Sequence, residues 1–365
     1  MSSSTTSNTE FTEEEQGRYD RQIRLWGIEA QQRSVLARFI SYQVPAILAV
    51  LSSTKPNANT LNRMRNATIL VVNLKGTATE TIKNIVLAGI GTLIIVDGDN
   101  VTEEDLGAGF FFRDEDVGLK RVDVAKSRIE SLNPLVAVRT IPSFDAIDPQ
   151  AFETTVRDVD LVCVTDWDRD GVIRMNNVCR RAGKPFYAGG TYGLLGYIFC
   201  DLLDHPSVSP KGKTTTSYAP LETALRHRWS SLTRRQTKEL NPAAVFLVLA
   251  IWHYQSIHAG SLPSSIHDAP ELQKIADALL KEADVNKQVI EKISEDLFES
   301  ATPSTPHEFS PVCAVVGGML GQDILKCLGG RDMPIANFFV FDGIGAGGAG
   351  TGGGGGGASV VRMGM

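Results

Sequence analysis

Two arginines stand three residues apart in Tyr19-Asp20-Arg21-Gln22-Ile23-Arg24-Leu25-Trp26-Gly27, followed by an aromatic residue and a glycine stop. A guanidinium is a rigid planar fork that matches phosphate oxygens, so Arg21 and Arg24 are candidates for phosphate chemistry. Thr12-Glu13-Glu14-Glu15 upstream fits a capping box and Gly27 a helix end, which predicts a short helix carrying both arginines. On spacing alone, a solvated basic helix is the favoured account of the segment. A second candidate is the loop Asn73-Leu74-Lys75-Gly76-Thr77-Ala78-Thr79-Glu80, placed between an apolar run and a helical stretch as a phosphate-binding glycine loop would be. Such loops need several glycines for a tight turn and for close approach of the backbone to phosphate. Here Gly76 stands alone and Glu80 would face the phosphates, so the loop reads as a retired nucleotide site. Asp166, at the end of an apolar run, has the oxygen chemistry of a magnesium ligand. Aspartate is also among the best helix N-caps, and capping of the following helix is the simpler reading.

Charge and composition narrow the field. Among 365 residues, 36 Lys and Arg against 42 Asp and Glu leave a net charge of −6, which argues against a nucleic-acid or anionic-membrane partner apart from any local basic patch. Cys163, Cys179, Cys200, Cys313 and Cys327 form no C-x-x-C pair, so neither a zinc site nor a disulfide framework is indicated. Their odd number suits a reducing compartment. They fall in strand-like or apolar helical contexts, where cysteine is usually an inert core residue, and no thioester cysteine is assigned. Residues 1–10 are polar and carry no apolar core of a secretory signal.

The elements that must position these residues follow from periodicity. Ile69–Asn73, a helix running to Ala88 and Thr92–Asp97 read as strand, helix, strand; Asp160–Thr165, a helix over Asn176–Ala182 and Pro185–Ala188 repeat the pattern. Continuous β-branched runs suit a parallel sheet buried on both faces, which predicts a doubly wound, Rossmann-like, mostly parallel α/β domain over residues 18–343 with an inserted helical segment. Within it, residues 206–217 read as a polar linker and Leu221–Glu299 as mostly helical, broken at Pro242 and Pro263. A helix is expected from Pro311 to Leu328 and a strand over Asn337–Asp342. The Gly317-Gly318 pair allows another element to approach closely, in the core or across an interface. Residues 1–17 read as a disordered tail, 344–365 as a glycine-rich C-terminal tail, and 34–62, which lack any acidic residue, as an insert or a translated intron.

The nonapeptide Tyr19–Gly27, together with Ile85–Gly91, Asp97–Gly107, Leu132-Asn133-Pro134, Pro311–Gly318 and Asn337–Gly343, resembles the ubiquitin-like-modifier activating enzymes, and among them the small non-catalytic subunits of SUMO-activating enzymes. The resemblance covers most of the chain outside the insert and the glycine tail. It implies the adenylation fold of that family and a heterodimer with a catalytic subunit that binds ATP and Mg2+, the SUMO C-terminus and the thioester. It also implies that Arg21 reaches in trans into the partner's ATP site and that the pair works in the nucleus and cytoplasm. Asp97, with Asp99 behind it, matches the position where active members hold ribose, and Asp166 the position of a magnesium ligand; Gly76, Asp97 and Asp99 are thus vestigial cofactor-binding candidates. Where active members carry an Asn-x-x-Arg-Gln-Phe motif, this chain reads Asp105-Leu106-Gly107-Ala108-Gly109-Phe110-Phe111, without the phosphate arginine. Lys120 or Arg121 could stand in for a lysine those members place nearby. Arg24 would be a second phosphate contact or an internal salt bridge, and Trp26 a packing anchor at the subunit interface. Alternatives are a regulatory subunit for another modifier such as NEDD8, whose members are typically longer, and a homodimeric sulfur-carrier adenylyltransferase, which would need the complete glycine loop and usually C-x-x-C pairs. A Rossmann oxidoreductase would need the missing G-x-G-x-x-G.

Overall fold

The computed structural model describes residues 63–209, 212–330, 332–344 and 357–365. Arg21, Arg24 and Trp26, the 34–62 segment and the glycine run 345–356 lie outside the described residues.

An eight-stranded sheet runs from edge to edge through Ala358–Val361 (β10), Phe338–Asp342 (β9), Leu195–Asp201 (β6), Phe186–Tyr192 (β5), Leu161–Thr165 (β4), Thr68–Val72 (β1), Thr92–Val96 (β2) and Ala137–Ile141 (β3). Strands β1 (Thr68–Val72), β2 (Thr92–Val96), β3 (Ala137–Ile141), β4 (Leu161–Thr165) and β5 (Phe186–Tyr192) pair in parallel. Antiparallel β6 (Leu195–Asp201), β9 (Phe338–Asp342) and β10 (Ala358–Val361) extend one side. The central strands are apolar without alternation because both faces are covered. Ile69 and Val71 of β1, and Leu161 and Cys163 of β4, face a core shared with the Gly76–Leu87, Arg121–Leu132 and Ser310–Gly329 helices. Leu70, Val72, Val162 and Val164 face the opposite core, built with the Arg169–Arg181, Pro242–Ile257 and Ala269–Glu282 helices. The doubly wound α/β expectation therefore holds, with an antiparallel flank added.

Gly317 and Gly321 of the Ser310–Gly329 helix lie against the Gly76–Leu87 helix. A Cβ on Gly317 would stand 2.6 Å from the Glu80 Cβ and 2.7 Å from the Thr77 carbonyl oxygen, and one on Gly321 2.9 Å from the Asn84 Cβ. The close approach read from the glycine pair is thus core packing, and Gly317 rather than Gly318 carries it. Although that helix is long and apolar enough to span a membrane by composition, 56% of its apolar window is buried inside the protein.

Three boundaries differ from the sequence reading. The supposed linker at 206–217 forms an antiparallel hairpin, β7 (Asp204–Ser209) with β8 (Gly212–Ser217). A two-stranded ribbon has two free edges, so Pro206 can join it without removing a bond from a wider sheet. The end of the expected tail returns as β10, with Ser359, Val361 and Met363 buried and Asn337 bonded to both the N–H and the C=O of Met363. Strand β5 also runs four residues beyond Ala188, because Gly189 and Gly190 leave room for Leu320 and for the Asp166 carboxylate.

Candidate functional site

The candidate site lies at the carboxyl ends of β1, β2 and β4. The chain leaves β1 at Asn73, whose φ of 70° is left-handed, a conformation asparagine tolerates better than most residues. Its side-chain amide donates to the carbonyls of Thr165 (2.9 Å) and Asp166 (3.0 Å), and the Thr165 hydroxyl donates back to the Asn73 carbonyl (2.6 Å). These bonds tie the tips of β1 and β4 together and fix where the next helix begins. The Gly76–Leu87 helix starts without a side-chain cap from Lys75. Instead, the Gly76 N–H donates to both carboxylate oxygens of Glu308, each at 3.1 Å. A Cβ on Gly76 would lie 2.9 Å from the Ala108 Cβ and 3.0 Å from the Cys313 Sγ, so glycine is required there by packing.

Helix N-termini bind anions because unpaired N–H groups and the helix dipole favour negative charge. In this chain the carboxyl group of Glu308 occupies that place, from 232 residues along the sequence. Glu80 does not face the seat, as its sequence position had suggested. It sits a turn into the helix, nearly buried, paired with Lys83 and covered by Gly317.

The acids expected to hold ribose are engaged internally. Asp97 is fully buried and accepts the N–H groups of Leu74 (2.6 Å) and Asp99 (2.7 Å). Arg121, itself buried, reaches Asp97 at 3.5 Å, Asp99 at 3.2 Å and Asp105 at 3.0 Å. Burial pushes the Asp97 carboxyl up, and the two backbone donors and Arg121 only partly oppose it. Burial works against the charge on Arg121, but Asp105, Asp97 and Asp99 outweigh it and hold the guanidinium above its usual range. Arg121 is thus an internal clamp. Lys120 donates to the Gly98 carbonyl.

Asp166 does not cap the next helix. That cap is Asp168, which accepts the Gly171 N–H at 2.8 Å. Asp166 adopts a φ of 47° and turns inward, where one oxygen accepts the Thr191 N–H at 2.9 Å and the other, Oδ2, is buried without a partner. The hydroxyl of Thr77 is also buried and unpartnered; it is close enough to Asp166 and Cys313 to influence both, yet outside hydrogen-bond geometry. Burial pushes Asp166 up to about 6, and burial together with Asp166 pushes Glu308 up to about 8. The pair therefore titrates as a unit holding one proton near neutral pH. Glu308 went unnoticed in the sequence because nothing in Thr305-Pro306-His307-Glu308-Phe309 marks it locally.

The geometry does not fit a nucleotide phosphate unless the Glu308 carboxyl group is displaced. Among the described residues, no group of three or more His, Cys, Asp or Glu side chains could hold a metal ion. All five cysteines are free and buried, and burial raises each thiol, Cys327 to about 12. None has the environment of a nucleophile.

Comparison with known proteins places this geometry. The ThiF family model matches residues 49–347. SUMO-activating enzyme subunit 1 of Rattus norvegicus is 31% identical over an alignment covering 92% of this chain and 93% of its own length. The protein of the same name from Homo sapiens is 31% identical, with coverage of 92% and 94%. The DNA damage tolerance protein RHC31 of Saccharomyces cerevisiae is likewise 31% identical, with coverage of 92% and 95%. Among solved structures, selenomethionine PaaA shares the fold, with a TM-score of 0.52 at 17% identity over 93% of this chain and 82% of that one. The chain belongs to the ThiF family and, within it, to the SUMO-activating enzyme subunit 1 group.

Proposed function

We propose that this chain is the non-catalytic subunit of a heterodimeric SUMO-activating enzyme, supporting adenylation and thioester formation by a partner that binds ATP, Mg2+ and SUMO. The observation that carries the reading is the Glu308 carboxylate on the Gly76 N–H, where a working subunit would present that N–H to phosphate. The internal clamp on Asp97 and the five inert thiols support the same division of labour. In this reading Arg21 is donated in trans to the partner's ATP site. Adenylate formation releases pyrophosphate, and a guanidinium can bridge phosphate oxygens as their charge redistributes. The complex acts in the nucleus and cytoplasm and takes neither nucleic acid nor membrane as a partner.

The test is ATP–pyrophosphate exchange with each subunit alone, with both, and with Arg21→Ala in the pair. Exchange is expected only when both are present. Loss of Arg21 is expected to slow it on the order of 100-fold or more, as for arginines supplied in trans to other phosphoryl transfers. Robust exchange by this chain alone would sink the non-catalytic reading, and an unchanged Arg21→Ala rate would remove the trans role.

A further inference from the structure

The seat at Gly76 retains the form of an anion site. It opens a helix of 12 residues, and its first N–H bonds only to Glu308. Two buried polar atoms beside it, the Thr77 hydroxyl and Asp166 Oδ2, have no partner. Unpaired buried polar atoms are costly, on the order of 1–3 kcal/mol each, and are seldom kept without a reason. A phosphate oxygen at the helix end would accept from the Thr77 hydroxyl, and a water bound beside it would donate to Asp166 Oδ2.

The segment carrying Glu308 is fastened over this end of the sheet. The Gly193 N–H donates to the His307 carbonyl (3.2 Å), Gly193 and Glu308 form a parallel bridge, and the Thr305 hydroxyl donates to the Pro263 carbonyl. At the outer edge, His307 Nδ1 lies 2.7 Å from a carboxylate oxygen of Glu104, the one exposed tie among these contacts.

We infer that Glu308 is an internal ligand of a latent phosphate seat: its strap, residues 302–309, closes the seat, and removing the Glu308 carboxylate opens it to inorganic phosphate and polyphosphate. The exchange is one oxygen acceptor for another on the same N–H donor. Asp166 and Glu308 hold one proton between them near neutral pH, so the resident acid pair carries a single negative charge at the helix end. Substitution of Glu308 removes the competitor, while Lys75, whose charge acts on both acids, remains beside the seat to favour an incoming anion. The inference does not depend on which partner or modifier the chain serves.

Titration of the full chain with sodium tripolyphosphate at constant ionic strength tests it. The wild type is expected to bind negligibly and Glu308→Ala at least tenfold more tightly. Lys-Gly pairs occur in the sequence at 75–76 and 211–212, so dual labelling of lysine carbonyl carbon and glycine nitrogen isolates the Gly76 amide to two candidate signals. That amide should shift when tripolyphosphate is added to Glu308→Ala. A folded Glu308→Ala that gains no affinity, or gains it without a Gly76 shift, overturns the proposal, as does a wild type that binds equally well. If Glu308→Ala does not fold, the wild type and the isosteric Glu308→Gln decide. A Gly76 amide that moves with pH in the wild type and stays still in Glu308→Gln supports the internal ligand; one that is unresponsive in the wild type removes it. Any of these outcomes leaves the Arg21 exchange assay unaffected, so the two readings fail separately.

Discussion

At the scale of single residues, Arg121 decides what Asp97 can do. Its side chain is almost fully buried and divides its charge among Asp97, Asp99 and Asp105. Removing one partner of a buried ion pair leaves the others desolvated and uncompensated, which costs about 3–5 kcal/mol. Arg121→Ala is therefore expected to lower the free energy of unfolding by that amount in urea titration. Asp99→Asn, at an exposed carboxylate, should cost about 1 kcal/mol or less. Equal effects of the two substitutions would contradict the clamp. Asp97 and its neighbourhood were legible in the sequence because an acid ending a β-branched run sits at a fixed place in a parallel sheet. Its state was not legible, because only the fold reveals that Arg121 reaches it. Glu308 lies further beyond local reading: it meets Gly76 only after most of the sheet has been threaded between them. Asp166 illustrates a third case, in which Asp168, two residues on, took the capping role predicted for it.

Among elements, the Gly76–Leu87 and Ser310–Gly329 helices fix the seat, since Gly76 and the strap end of the second helix meet at their shared end. Their spacing depends on Gly317. Gly317→Val would force a branched side chain into a contact already 2.6–2.7 Å from the neighbouring helix, and overpacking of this kind costs roughly 1–3 kcal/mol or more. Gly318→Ala meets only the Asn84 amide nitrogen at 4.0 Å and should be neutral, or stabilise by up to about 1 kcal/mol through helix propensity. The urea midpoints of the two variants should move in opposite directions, or the first alone should fall. A tolerated Gly317→Val would mean the helices can separate. The glycine pair announced a close approach because only glycine permits one, while the choice between the two glycines required the helix phase. Sequence patterns located the parallel strands well, since runs such as Leu161–Thr165 have few other uses. They failed at β7, β8 and β10, where Pro, Lys, Thr and glycine-rich neighbours imitate linkers and the pairing is set by register.

For the whole molecule, the buried acids set how stability varies with pH. Burial raises Asp166 to about 6, Glu308 to about 8 and Asp323 to about 6, and it raises Asp97 as well. A carboxyl whose pKa is higher folded than unfolded contributes stability that is complete below its unfolded pKa, near 4, and is lost as pH climbs through the folded value. His205 and His227 act oppositely: burial lowers both, so the stability they contribute is present above their ordinary pKa and lost as pH falls below it. Between pH 6.5 and 8.5 the histidines finish titrating in the unfolded chain and the five thiols begin to, while the Glu308 and Asp166 pair keeps its one proton in the folded state. The pair adds to the profile over this interval a decline of at most about 1.4 kcal/mol per pH unit for one proton. Glu308→Gln removes the shared proton and frees Asp166 from a like charge, so its profile should be flatter over the same interval. Urea unfolding of both proteins at constant ionic strength measures this directly. A wild-type profile that falls no more steeply over this interval than that of Glu308→Gln would contradict the acid pair and assign the proton to some other group.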